Sequence, residues 1–309
     1  MKYFYLSGKF VPPARAKISI MTHAFNYGTA VFEGIRAYWN AQQRQLYVFR
    51  LDDHFQRMQM NCKVLNLSPP FDAKKMCELT VELLRKNRVK QNTYVRPICF
   101  QARLGIGPKF GGKSDLAMYL LPLDSRLDSD RAMRVMVSSY KRIDRSMIPP
   151  GAKINGSYVN SFLAGQEALK KGYDDAILLN LDGTVAEATG MNIFMVKKSI
   201  LFTPPAEANI LAGITRDCVI KLAGQELGLR VREKNITVTE LKSADEVFLT
   251  GTGAEIAPVG WVDRKRINAG KACPITQELR WLYKQIVFGE MAKYRYWLTP
   301  VYSHHGVHL

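Results

Sequence analysis

In the stretch PPGAKINGSY, Lys153 stands between glycines just ahead of a helix-like pattern, with no carboxylate partner nearby in sequence. A surface lysine needs no such setting, and a buried one is costly unless paired or neutral. A third use is covalent, the amine condensing with a carbonyl. The chain also carries Glu187, in DGTVAEATGMN, on a short apolar strand pattern where a carboxylate is expensive without a partner. LAGITRDCVIKLAG puts Gly213, Ile214 and Thr215 where a helix begins, with exposed amides and a hydroxyl. FLTGTGAE ends a strand in a threonine–glycine nest with Thr252 as a second hydroxyl donor, and Arg57 lies on a helix whose neighbours Phe55 and Met58 face the core.

These residue types match the parts that a pyridoxal phosphate site needs: a Schiff-base lysine, an acid facing the pyridine nitrogen, and several phosphate donors. Each has a plainer reading. Glu187 also fits an edge-strand glutamate in solvent, Arg57 a solvated arginine, and the glycine–threonine stretches ordinary caps and turns.

The elements that must position these groups follow from periodicity. KYFYLSGKFVP, AKISIMT, a hairpin around Asn40–Arg44 and NTYVRPICFQARL read as strands. LDDHFQRMQMNCKVLNL and DAKKMCELTVELLRKNRV have helical spacing, each with Asp near its start. MRVMVSSYKR predicts a strand, YVNSFLAGQEALKKG a helix stopped by Gly172, and DDAILLN and GTVAEAT two strands around an LDG turn. NIFMVKKSILFTPP predicts a hairpin, ITRDCVIKLAGQELGL a helix, VREKNIT and EVFLTG strands, and PITQELRWLYKQIVFGEM a closing helix. The pattern predicts a mixed α+β chain: a small domain over 1–121, a linker loop over 122–132, and a larger domain over 133–309 carrying Lys153.

GPKFGGKS, residues 107–114, fits the phosphate-loop pattern, and a P-loop NTPase is one reading of it. That loop needs a helix directly after it, whereas DLAMYLLPL is a strand-length apolar run closed by Pro122. The formal charge of +17 raises a nucleic-acid-binding protein as another reading. The basic residues are dispersed, however, and no recognised nucleic-acid module accompanies them, so neither nucleic acid nor membrane is expected as a partner. No apolar run approaches membrane-spanning length, and no signal-peptide segment opens the sequence. The five cysteines lack CxxC or metal spacing, which predicts reduced cytosolic thiols and no metal. YSHHGVHL reads as a frayed tail.

HAFNYGTAVFEGIRAY, FRLDDHFQRM, YVRP, GAKINGSY, EATGMNIF, LAGITRD and TGTGAEIAPV occur in an order that resembles the branched-chain-amino-acid aminotransferases, class IV pyridoxal-phosphate enzymes of fold type IV. The resemblance covers about residues 1–300. It implies two domains, the larger with a pseudo-barrel sheet, and transamination of leucine, isoleucine and valine with 2-oxoglutarate in a cytoplasmic homodimer or larger assembly. It implies that Lys153 carries the cofactor, Glu187 pairs with the pyridine nitrogen, and Tyr158 bonds the phenolic oxygen. Arg57, Gly213, Ile214, Thr215 and Thr252 would hold the phosphate, with Leu211 on the ring. Phe32, Gly34, Tyr94 and Gly190 would line the side-chain pocket, with Tyr27 entering from a second subunit. Gly253 and Ala254 would take the α-carboxylate, and Arg96 the distal carboxylate of glutamate.

Three positions depart from the family pattern: LDSRLDSD at 123–130, Pro108, and Ala212 where proline is common. The first two fall where such enzymes select substrates. A D-amino acid or (R)-amine transaminase therefore remains open, while YVRP and TGTGAE disfavour an aminodeoxychorismate lyase.

Overall fold

The computed structural model describes residues 1–107, 112–127, 131–267 and 273–302. The chain divides into two compact units. The first comprises Met1–Asp124, Lys153–Gly156 and Gln285–Leu309, the second Ser125–Ala152 and Ser157–Lys284. Lys153–Gly156 is counted with the first unit.

The first unit opens with β1 (Phe4–Leu6) and β2 (Lys9–Val11), turned by Ser7 and Gly8 at positive φ. Helix α1 (His23–Tyr27) ends on Gly28, whose left-handed φ of 66° lets its amide reach Ala24. β3 (Ala30–Phe32), β4 (Ile35–Asn40) and β5 (Gln45–Phe49) follow. Then come helices α2 (Leu51–Val64) and α3 (Ala73–Lys86), and the long strands β6 (Thr93–Gln101) and β7 (Ser114–Pro122). Asp72 caps α3, accepting from the Lys75 amide at 2.7 Å. The sheet runs β5-β4-β6-β7-β1-β2, all antiparallel, with β3 also on β6.

β6 carries a proline in mid-strand, which a central strand normally rejects. Pro97 falls where the partner changes: Val95 pairs with Ile35 of β4, and Ile98 with Phe32 of β3. No ladder amide is needed there, and the Pro97 carbonyl accepts the Glu33 N–H at 3.0 Å.

Two expectations fall. AKISIMT forms no strand; it follows a single-turn 3-10 helix at Pro13–Arg15, and Ile18, Ile20 and Met21 are exposed, so its alternation serves no buried face. The phosphate-loop reading also falls, since β7 and no helix begins at Ser114. Pro108 and the rest of 108–111, residues 128–130 of the linker, and 303–309 of the tail lie outside the described residues.

The second unit contains β8 (Met133–Lys141), α4 (Tyr158–Lys170), β9 (Asp175–Leu179), β10 (Val185–Ala188), β11 (Asn192–Lys197) and β12 (Ile200–Thr203). These are followed by α5 (Ile214–Gln225), β13 (Arg230–Glu233), α6 (Val238–Lys242), β14 (Glu246–Gly251), β15 (Glu255–Val262) and β16 (Lys265–Arg266). Helix α7 (Pro274–Val287) counts with this unit through Lys284. The sheet order is β10-β9-β8-β15-β14-β11-β12-β13. β8 runs parallel to both β9 and β15, and β12 is parallel to β13. This half-barrel packs Val135, Ile177, Val185, Ile193, Leu249 and Val259 into one core. The predicted VREKNIT strand is cut to Arg230–Glu233, while β15 was given no strand by the pattern because Pro258 interrupts it.

β17 (Leu298–Pro300) pairs with β5 and completes the first unit's sheet. Among the described residues, no helix is long and apolar enough to cross a membrane, and all five cysteines are unbridged.

Candidate active site

Lys153 is held by β3. The Phe32 amide donates to the Lys153 carbonyl (3.1 Å), the Asn155 amide to the Ala30 carbonyl (2.8 Å), and Val31 bridges to Ile154. The segment therefore acts as a short extra strand. Its side chain leaves it beside an aromatic face: the Lys153 Nζ lies 4.8 Å from the Phe32 ring centroid. The flanking Gly156 has a packing reason of its own. A Cβ on Gly28 would come within 2.7 Å of the Gly156 Cα, so the end of α1 and the lysine loop meet backbone to backbone.

Phe32 carries a second cation. The Arg96 guanidinium lies 4.5 Å from the same ring, and its Nη2 donates to the Tyr94 hydroxyl at 2.8 Å. Tyr94 and Arg96 share one face of β6 by their two-residue spacing. Among the described residues, the Arg96 Nε is buried without a hydrogen-bond partner. Gly34 accommodates Tyr94: a Cβ there would stand 2.1 Å from the tyrosine oxygen. Tyr27 is exposed at the end of α1, its hydroxyl accepting the Gly107 amide at 3.0 Å beside the His23 ring.

Arg57 is not the solvated arginine of the plainer reading. It makes a two-bond pair with Glu33, which also accepts from His54. Burial acts to raise the Glu33 pKa, but the Arg57 charge and the bonds from His54 and Arg57 hold it well below the ordinary carboxylate range.

In the second unit, Glu187 overturns the solvated-edge reading. β10 ends its sheet, yet Glu187 is only 6% exposed. One carboxylate oxygen pairs with Arg142 at 2.8 Å, and the other accepts from Asn192 Nδ2 (3.0 Å) and the Leu211 amide (3.1 Å). Asn192 also donates to the Leu211 carbonyl at 2.9 Å, fixing the chain just before α5. Gly213 is required there, since a Cβ would lie 2.0 Å from Asn192 Oδ1. As the N-cap of α5, Gly213 supplies no side chain to the helix amides, and Thr215 is buried in the first turn. A helix start of this kind is suited to an anion.

Tyr158 opens α4, and Gly190 is exposed just before β11, next to Thr189, whose hydroxyl donates to Asp175 at 2.6 Å. Thr252, Gly253 and Ala254 form the turn from β14 to β15. The turn closes on Glu255, buried at a left-handed φ of 59°, whose carboxylate accepts from the Ser125 hydroxyl and the Arg126 amide. Each by itself, the lysine beside an aromatic face in the first unit, and the buried carboxylate oriented by three donors and the glycine-capped helix start in the second, is a group of the kind that binds pyridoxal phosphate.

Sequence reasoning missed Glu33, His54, Arg142, Asn192 and Glu255. Glu33 had a usable signal, a carboxylate inside the apolar run AVFEGI. Arg142 had none, because its partner Glu187 comes from a strand 45 positions on, whereas Asn192 follows Glu187 by only five residues in EATGMNIF.

The family described as amino-transferase class IV matches residues 30–261. The chain belongs to the class IV aminotransferases. A probable branched-chain-amino-acid aminotransferase of Aquifex aeolicus is 45% identical over 304 residues, covering 98% of each chain. The Escherichia coli K12 branched-chain-amino-acid aminotransferase is 36% identical over 97% of each chain. Among solved structures, the Thermobaculum terrenum branched-chain enzyme in its PLP form superposes with a TM-score of 0.94 at 38% identity, covering 98% of this chain and 99% of that one. The Thermoproteus uzoniensis enzyme with norvaline gives 0.92 at 41%, covering 97% and 99%. This class IV aminotransferase is thus a mixed α+β enzyme of fold type IV, with one antiparallel-sheet unit and one half-barrel unit.

Proposed function

We propose that this aminotransferase exchanges the amino group between branched-chain L-amino acids and 2-oxoglutarate, yielding branched 2-oxo acids and L-glutamate. The observation that carries the reading is Lys153, anchored on β3 with its ammonium against Phe32 and Arg96 on the same ring. The cofactor is pyridoxal phosphate, which supplies the electron sink that weakens the substrate Cα–H bond.

Lys153 would be the attachment point for the cofactor and, once the substrate's amino group has displaced it, the amine that carries the substrate Cα proton. Glu187 would pair with the pyridine nitrogen, with its carboxylate held in place by Arg142, Asn192 and the Leu211 amide. Tyr158 bonds the phenolic oxygen and Leu211 packs on the ring. The phosphate is taken by Arg57, Thr252, Gly213, Ile214 and Thr215, the last three at the start of α5.

Phe32, Gly34, Tyr94 and Gly190 line the aliphatic pocket, the amides of Gly253 and Ala254 take the α-carboxylate, and Arg96 takes the distal carboxylate of glutamate. Tyr27 serves the pocket of a neighbouring subunit in a cytoplasmic homo-oligomer of at least two chains. Neither nucleic acid nor membrane is a partner.

The test is the absorbance spectrum of the purified enzyme between about 300 and 500 nm, before and after L-leucine and then 2-oxoglutarate. A visible band that bleaches with leucine and returns with the oxo acid is expected. A band indifferent to leucine but responsive to a D-amino acid or an (R)-amine would replace the substrate assignment.

A further inference from the structure

Arg57 meets Glu33 through two parallel bonds, Nε–H to Oε1 and Nη2–H to Oε2, both 2.7 Å. This fork fixes a guanidinium in its own plane, which a single contact does not. Glu33 lies at the bend between β3 and β4, among Phe32 and Ile35, and its side chain is wholly out of water. Its Oε2 takes a third bond from His54 Nδ1 at 2.8 Å. An ionised carboxylate only accepts, so the Nδ1 of His54 carries the proton. His54 stands three residues before Arg57 on α2, so one helix face delivers both donors to one carboxylate.

The cluster also lies within electrostatic reach of the lysine. Burial lowers the His54 pKa against the opposing pull of Glu33, and the charges of Arg57 and Lys153 lower it further. At this bend an apolar side chain would match the buried neighbours at far smaller desolvation cost. A charged, three-donor carboxylate here therefore points to a requirement of orientation. The Arg57 side chain keeps 15% of its surface exposed while Glu33 keeps none, so the carboxylate is the fully buried member of the pair.

We infer that Glu33 and His54 are positioning residues that hold the Arg57 guanidinium in one orientation for the cofactor phosphate. The inference rests on the assignment of Arg57 to that phosphate. A clamped arginine has already lost its rotamer freedom on folding, so less is lost when an anion arrives. The clamp should therefore act on the phosphate's share of cofactor binding and leave the remainder alone.

The experiment compares apoenzyme affinity for pyridoxal phosphate and for pyridoxal, which lacks the phosphate, by quenching of intrinsic fluorescence. The ratio of the two dissociation constants isolates the phosphate. For Glu33→Gln the ratio is expected to shrink by about tenfold while pyridoxal binding stays within about twofold. His54→Leu should shrink the ratio in the same sense, and His54→Asn, whose amide nitrogen can replace Nδ1, should restore most of it. Arg57→Met should shrink the ratio at least as far as Glu33→Gln does, leaving the share of Thr252 and the α5 start, and Glu33→Gln added to it should change nothing further.

If Arg57→Met shrinks the ratio but Glu33→Gln does not, the clamp is only structural and the inference is overturned, with the phosphate assignment intact. If Arg57→Met leaves the ratio unchanged, the phosphate assignment itself fails, and the inference with it. Should Glu33→Gln not fold, Glu33→Asp keeps the charge but shortens the reach, and its ratio is read in the same way.

Discussion

Phe32 bears Lys153 on its ring at 4.8 Å and Arg96 at 4.5 Å, and the room for Tyr94 beside them comes from Gly34. Gly34→Ala would drive a methyl into the Tyr94 hydroxyl, 2.1 Å from the Cβ position. Such overpacking is expected to cost about 1–3 kcal/mol in urea denaturation of the apoenzyme and to raise the KM for leucine. Gly34→Ala combined with Tyr94→Phe should recover part of both losses, because the oxygen is the first atom struck. Lys153→Ala should abolish the visible band and essentially all transamination in a coupled glutamate assay; retained turnover would remove Lys153 from the mechanism. Replacing Glu187 with Gln keeps its shape and most of its bonds while removing its charge, and kcat should fall by about a hundredfold or more. At this scale the sequence singled out the groups proposed to meet the cofactor directly, Lys153 and the start of α5. It hid those that act through partners, since nothing near Arg142 announces that it will meet Glu187.

Among the elements, helices with a clear apolar stripe were readable: α2, α3, α4 and α5 all occur where their spacing puts them. Strands were readable only where alternation matched a buried face. AKISIMT alternates and stays irregular, whereas β15 forms despite Pro258, because β8 and β14 flank it. Strand identity is thus decided by neighbours absent from the local pattern. A carboxylate ties α4 to β8: Glu167 accepts from the Ser138 hydroxyl (2.7 Å) and the Ser139 amide (3.0 Å) and pairs with Lys171 (2.8 Å). Partial burial would raise its pKa, but Lys171 and the serine donors bring it down to about 2 from an ordinary 4.5. Because the folded value lies below the unfolded one, this tie is at full strength above pH 4.5 and fades as the pH drops toward 2. Urea midpoints measured across that window should decline, and Glu167→Gln should flatten the decline while costing about 1 kcal/mol at pH 7.

For the molecule as a whole, several exposed apolar residues of the first unit come from two segments that are hydrogen-bonded to each other. Thr22 bridges to Leu104, and the Gly105 amide donates to the Met21 carbonyl, so Ile18, Ile20, Met21 and Phe25 share a surface with Leu104 and Ile106. We propose that this patch is covered by a second copy of the chain. Sedimentation should find at least a dimer, and Ile20→Asp with Phe25→Asp should shift it to monomer and depress turnover if Tyr27 serves a neighbouring pocket. The formal charge of +17 has a kinetic reading at this scale, the attraction of anionic cofactor and oxo acids. The association rate of the apoenzyme with pyridoxal phosphate should then fall as salt rises, and a salt-independent rate would leave the charge without a catalytic use.

β5 finds one of its partners very late. Gln45 accepts the amide of Val301 across 256 positions, and β17 beside it covers the outer edge of β5. During synthesis at about 5–20 residues per second, that edge waits on the order of tens of seconds for its cover. Its residues LYVF are wholly apolar and aromatic, a composition that invites foreign strands. Because the outer edge of β5 stays open until β17 is made, yield should fall when chaperones are depleted during synthesis.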